Sequence, residues 1–294
     1  MRSYVVPVDF SKSSNLALDY AIARARRRGA RLILVHVSAD NSFAAATSEE
    51  SGSAELILKA QAIAKERARN AMRKLVERKG LTAKEHRIVF IERLDAARAI
   101  AQQARKSRAR MIIMGSEGRT GIQRLFAGSV AEATLRATRR PLLIVKKSPF
   151  TKPPAKKILV PLDFSKISEV ALKHAKEIAK TEKETLVLLN VVTDTGRMVP
   201  FYLREGFYSS LLEGEQKRIK RLARRMGIAP RQYRSLVLRA RDAAAAIAKE
   251  AKKSRVSMIV MGSHGRGGLK HLVLGSVAEK TLRYAPCPVL VFKK

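Results

Sequence analysis

Short runs of uninterrupted apolar residues alternate along this chain with longer stretches in which apolar side chains recur every three or four positions. In the first half the runs fall at 4–8, 32–37, 86–91, 110–114 and 142–146. Their β-branched and apolar content predicts strands buried on both faces, as in a parallel sheet. Between them the helical period occupies 13–28, 53–79, 95–107 and 128–138, and the second half repeats it near 168–182, 207–226, 242–254 and 275–285. Asp95 and Asp242 stand where N-caps belong, each before an alanine-rich stretch. Alternation of this kind predicts a doubly wound α/β fold. Ligands then belong beyond the carboxyl ends of the strands, where strand order reverses.

The two halves are copies of one another. Pro7-Val8-Asp9-Phe10-Ser11-Lys12 returns as Pro161-Leu162-Asp163-Phe164-Ser165-Lys166, with Asp163 lying 154 positions after Asp9. Val191 keeps that offset from Val37, whereas Ile247 follows Ile100 by 147. Seven residues are therefore missing from copy two after its second strand, in the connection or the helix that follows, where a length change costs little. Two domains of ordinary size follow, 1–147 and 155–294, joined by a proline-bearing linker at 148–154.

A glycine signature also occurs twice. Gly115-Ser116-Glu117-Gly118, nine residues, then Gly128-Ser129 returns as Gly262-Ser263-His264-Gly265, nine residues, then Gly275-Ser276. Each copy follows an apolar strand and opens a helix. Glycines let backbone amides approach an anion that side chains would block, and a helix start adds unpaired N–H donors with the positive end of a dipole. One such motif marks a plain turn as readily; the duplicated spacing in matching contexts predicts a phosphate cradle. His36, His174 and His271 read as packing or surface residues, since no second ligand recurs near them at metal spacing, and no metal site is expected.

Charge adds what the periodicity lacks. The 294 residues carry 60 Lys and Arg against 25 Asp and Glu, a formal net charge of +35, shared almost evenly between the halves. Such a surface attracts nucleic acid or other polyanions at low salt, unless it reflects only the ionic surroundings, and no motif for sequence readout accompanies it. Cys287 is the only cysteine, so an internal disulfide is excluded, and it reads as a small core residue. The aromatics Phe201, Tyr202, Phe207 and Tyr208 are expected to cap the core of copy two under its shortened connection. No apolar run is long enough for a membrane span, and a cytoplasmic protein is the expectation.

These residues carry a family resemblance. Pro-x-Asp-Phe-Ser at the end of strand one, Val35-His36-Val37 closing strand two, and Met-Gly-Ser-x-Gly-Arg followed by Gly-Ser-Val-Ala-Glu are similar to the universal stress protein family over nearly the whole chain. The resemblance implies five parallel strands per domain in the order 3-2-1-4-5, helices on both faces, and adenine nucleotide (ATP, ADP or AMP, with or without Mg²⁺) over strands one and four. It gives Asp9 and Asp163, each preceded by Pro7 or Pro161, the adenosine part, and Val37 and Val191 the adenine edge. The loops Met114, Gly115, Gly118, Arg119 and Met261, Gly262, His264, Gly265, Arg266 would curl under ribose and phosphates. Gly128, Ser129, Val130 and Gly275, Ser276, Val277 would present helix-terminal amides and a hydroxyl to the phosphates. Glu117, where copy two has His264, makes copy one the weaker expected site. Leu94 and Arg241 depart from the family, which usually has glycine there.

The leading expectation is a stress-response binding module with little or no turnover and no catalytic residues, because the glycine motif lacks the lysine of a G-x-x-x-x-G-K-[ST] loop. A slow ATPase or autophosphorylating protein and a basic scaffold for polyanions stay open. The matching last strands at 141–147 and 288–294 are edges of the kind that pair, and relatives dimerise through them. An internal pseudo-dimer of the two domains is expected, with further homodimerisation open.

Overall fold

The computed structural model describes residues 2–38, 51–116, 129–147, 154–194, 204–265 and 274–293, with side chains from Glu55 and Gly206 onward in the helices that begin at Ser51 and Arg204. The chain divides into two compact units, Met1–Val145 and Lys146–Lys294. In the first, β1 (Ser3–Pro7), α1 (Lys12–Arg28), β2 (Arg31–Ser38), α2 (Ser51–Arg78), β3 (His86–Glu92), α3 (Ala96–Lys106), β4 (Met111–Gly115), α4 (Ser129–Ala137) and β5 (Leu142–Val145) follow in order. In the second, β6 (Ala155–Pro161), α5 (Lys166–Glu182), β7 (Thr185–Thr193), α6 (Arg204–Arg225), β8 (Tyr233–Ala240), α7 (Ala243–Lys253), β9 (Val256–Gly262), α8 (Ser276–Tyr284) and β10 (Val289–Phe292) repeat the scheme. Expected and observed boundaries differ by three residues at most, mostly at helix starts.

All strand pairs within each unit are parallel, in the order β3-β2-β1-β4-β5 in the first and β8-β7-β6-β9-β10 in the second. Strand order thus reverses between β1 and β4 and between β6 and β9. The central strands are buried on both faces (Val5, Val6, Ile112 and Ile113; Ile158, Leu159, Ile259 and Val260), which explains their unbroken apolar runs. Asp95 caps α3 by accepting from Arg98 N (2.9 Å), and Asp242 caps α7 by accepting from Ala244 N and Ala245 N (2.9 and 3.2 Å). His174 stacks on Phe292, ring centroids 4.4 Å apart, and is a packing residue.

Each unit turns from its first strand into its first helix through the same corner. Val8 N donates to Val35 O (2.8 Å) and its carbonyl accepts from the ring of His36 (2.7 Å to Nδ1). In the second unit Leu162 N donates to Leu189 O (2.7 Å) and its carbonyl accepts from Asn190 Nδ2 (2.7 Å). The chain then passes through Phe10 or Phe164 in the left-handed region, φ 67° and 61°, where bulky residues are strained. The Phe10 ring lies against His36 (4.9 Å), and Arg218 lies over the Phe164 ring (4.0 Å). Ser11 and Ser165 follow as N-caps, accepting from Ser14 N and Ser168 N.

The length difference between the copies is taken up largely in a helix: α2 has 28 residues and α6 has 22. Tyr208 of α6 is buried and donates from its hydroxyl to Asp194 Oδ1 (2.8 Å), with the Arg239 guanidinium 3.7 Å over its ring. It covers the core as expected. Phe207 does not; it stays half exposed with Tyr208 at its edge. Phe201 and Tyr202 lie outside the described residues.

Helix α1 ends in Gly29 at φ 56°, whereas α5 ends in Lys183 at φ 53°, the matching position of the repeat. A side chain in that conformation costs about 1 kcal/mol. Lys183→Gly should therefore raise the melting temperature of the transition containing the second unit by roughly 2–4 °C, measured by calorimetry; no change or a fall would contradict the assignment.

Glu85, before β3, accepts from Arg26 Nε (2.8 Å) and from the amide and hydroxyl of Thr82 (2.9 and 3.0 Å). These donors, Arg26 foremost, pull its carboxyl down to about 2 from an ordinary 4.5. Because the folded value is the lower one, this stabilisation is complete above pH about 4.5 and is lost as pH falls toward 2. NMR titration of the Glu85 carboxyl carbon should show that midpoint, and Arg26→Gln should move it up.

Candidate functional site

In the second unit the carboxyl ends of β6, β7 and β9 and the start of α8 enclose a pocket of about 410 Å³. Every described residue expected there from the sequence lines it: Pro161, Asp163, Val191, Met261, Gly262, His264, Gly265, Gly275, Ser276 and Val277. Arg266 lies outside the described residues. Leu189, Val191 and Ile247 contribute apolar lining, and the glycine loop and the helix start contribute the rest with Asp163.

Asp163 is fixed by its own turn. Its Oδ1 accepts from Ser165 N (3.0 Å) and Ser165 Oγ (2.7 Å). Its Oδ2 lies so close to Gly265 that a Cβ there would sit 2.7 Å from it. Glycine at 265 is thus what lets the loop pass under the carboxylate.

Gly262 has a different cause. A Cβ at Gly262 would come within 2.8 Å of Ile167 Cγ2, and one at Gly115 within 2.7 Å of the Ser13 backbone carbon. Each faces the first helix of its unit, so these glycines admit helix packing onto the strand end. The close approach is to α1 at Gly115 and to α5 at Gly262, and Gly262 also lines the pocket.

The helix start carries no side-chain cap. Gly275 is the N-cap of α8 at φ −72°, ψ 148°, and the first turn keeps unpaired N–H groups facing the pocket. Gly275 N donates to Ser263 O (2.8 Å), which folds the helix start onto the loop, and a Cβ at Gly275 would stand 3.3 Å from that oxygen. Ser263 is fully buried, with Oγ 2.8 Å from His264 Nδ1. Next to the lining residue Ala243, Asp242 pairs with Lys280 of α8 (3.0 Å). Lys280, with the amides of Ala245 and Ala244, holds the Asp242 carboxyl below its ordinary range.

The first unit brings Pro7, Asp9, Val37, Met114, Gly115, Ser129 and Val130 to the corresponding strand and helix ends. Asp9 Oδ1 accepts from Ser11 N (3.0 Å), as Asp163 does from Ser165. Glu117, Gly118, Arg119 and Gly128 lie outside the described residues. Among the described residues no three His, Cys, Asp or Glu side chains are grouped as a metal would need. Burial pushes the Cys287 thiol up to about 12, as befits a core residue. No helix among the described residues is long and apolar enough to cross a membrane.

Sequence reasoning missed several lining residues: Leu162, Ser168, Asn190, Thr193, Ala243, Ser263 and Ala278. Asn190 could have been found. It lies 154 positions after His36, and each is a lone polar residue inside an apolar strand. Ala243 and Ala278 carry no such signal, since alanine in a helix looks the same wherever it faces.

Comparison with known proteins agrees with this architecture. The model of the universal stress protein family matches residues 1–146 and again 154–293. A universal stress protein of Mycolicibacterium smegmatis is 28% identical over 98% of this chain and 96% of its own length. Universal stress protein MJ0531 of Methanocaldococcus jannaschii is 38% identical over 47% of this chain and 82% of its own. The crystal structure of a universal stress protein from Archaeoglobus fulgidus superposes with a TM-score of 0.66 at 22% identity, covering 99% of this chain and 96% of that one, a likeness of fold. With two successive matches spanning almost its whole length, the chain belongs to the universal stress protein family.

Proposed function

We propose that this tandem universal stress protein binds an adenine nucleotide, ATP or AMP, in its second unit and a second, more weakly, in its first, and acts as a stress-response binding module with little or no turnover. The observation that carries the reading is the pocket of about 410 Å³ with an uncapped helix start on one side and a carboxylate beside it. Its volume suits a small-molecule site. The apolar lining at Leu189, Val191 and Ile247 would receive the base, and Asp163 would accept from ribose hydroxyls. The amides from Ser276 onward, with the Ser276 hydroxyl, would take the phosphates. Any Mg²⁺ would arrive with the phosphates, held by their oxygens.

The Ser263 hydroxyl beside the His264 imidazole favours a second reading, slow transfer of the γ-phosphoryl of bound ATP to Ser263 Oγ, with the hydroxyl proton passing to His264 and ADP leaving. Incubation with ATP followed by intact-mass measurement tests it. A phosphoryl adduct that disappears in Ser263→Ala supports the transfer, and an unchanged mass removes it.

Calorimetric titration with ATP tests the binding reading. Asp163→Ala removes a charged acceptor worth about 1.5–3 kcal/mol, which corresponds to roughly 10- to 100-fold weaker binding at the tighter site. Gly275→Val should abolish that site, since its side chain would press on the backbone of Ser263 and His264. Undiminished affinity in both variants, with the fold intact by circular dichroism, would refute the placement.

A further inference from the structure

Helix α6 carries a basic face that the nucleotide pocket does not use. Its inner side is committed to the core through Ile219, Leu222 and Ala223, all buried. On the opposite side Lys217, Lys220, Arg221 and Arg224 are exposed at i, i+3, i+4 and i+7, which places them in one stripe about 10 Å long. Arg218 pairs with Glu215 and Arg225 with Glu169, but none of these four has a carboxylate partner among the described residues. Glu213 lies one turn before the stripe, and no acidic residue lies within it. The exposed Arg231 and Arg234 follow just beyond the helix.

We propose that this face of α6 is a docking surface for the phosphate backbone of duplex nucleic acid. Four cations on a rigid helix, two of them arginines able to bind phosphate oxygens in pairs, match a regular row of phosphates. An anionic membrane fits less well. The apolar side of α6 is buried against its own sheet, so the helix has no free apolar face to insert among lipids. Side chains reach outward from a helix held flat on the sheet, so contact is with the backbone and is independent of base sequence.

The test is fluorescence anisotropy of the full chain with an arbitrary DNA duplex over a salt series. The stripe variant combines Lys217→Gln, Lys220→Gln, Arg221→Gln and Arg224→Gln. A control removes the same charge from exposed lysines of α5 and α7, by Lys173→Gln, Lys180→Gln, Lys249→Gln and Lys252→Gln.

If the stripe meets four phosphates, the slope of log affinity against log salt should become shallower by about 3.6 in the stripe variant and change by less than about 1 in the control. Equal losses in the two variants would mean diffuse attraction by the net charge and would overturn the proposal. So would an unchanged slope in the stripe variant, or binding to vesicles containing phosphatidylserine without binding to duplex. ATP titration of the stripe variant, unaltered at the pocket, separates this result from any failure of the nucleotide site.

Discussion

The site in each unit depends on how the first strand is tied off against the second. The last residue before the turn is held from both sides: Val8 or Leu162 donates its N–H to one residue of the neighbouring strand, and its carbonyl accepts from the side chain of the next, His36 or Asn190. A buried carbonyl left without a donor would cost about 1–3 kcal/mol, enough to let the strand end fray. With the end pinned, the chain can enter the left-handed turn at Phe10 or Phe164 and bring an aspartate carboxylate to the crevice. The donor to Val8 O also fixes the His36 tautomer, with the proton on Nδ1.

The second constraint is steric. First helix, strand end and loop converge at the crevice so closely that glycine is required for two unrelated reasons. Gly115 and Gly262 make room for a helix, whereas Gly265 makes room for the Asp163 carboxylate. The uncapped start of α8 then closes onto Ser263 through Gly275. One motif thus serves helix packing at its first glycine, the Asp163 carboxylate at its second, and the approach of the helix start to the loop at its last.

Much of this was readable from the sequence, for physical reasons. Strands buried on both faces appear as unbroken apolar runs, and an aspartate before an alanine-rich helix can hardly be other than a cap, so the alternation and the caps at Asp95 and Asp242 were visible. The lining residues Asp163, Gly265 and Ser276 were visible because the repeat printed them twice, and Val191 because of the family resemblance. What escaped depends on distant partners. The role of Asn190 rests on a carbonyl 28 residues earlier, and the cause of Gly262 rests on Ile167 of another element. Phe207 and Tyr208 are indistinguishable by type, yet one faces the core and the other solvent.

Backbone amide NMR of isotope-labelled protein, titrated in parallel with ATP and with adenosine, bears most directly on the claim that the start of α8 holds the phosphates. ATP should shift the amides of Ser276, Val277 and Ala278 together with Val191, while adenosine should shift Val191 and leave the helix start nearly unmoved. Equal shifts at the helix start from both ligands, or ATP shifts that leave Ser276–Ala278 untouched, would contradict it.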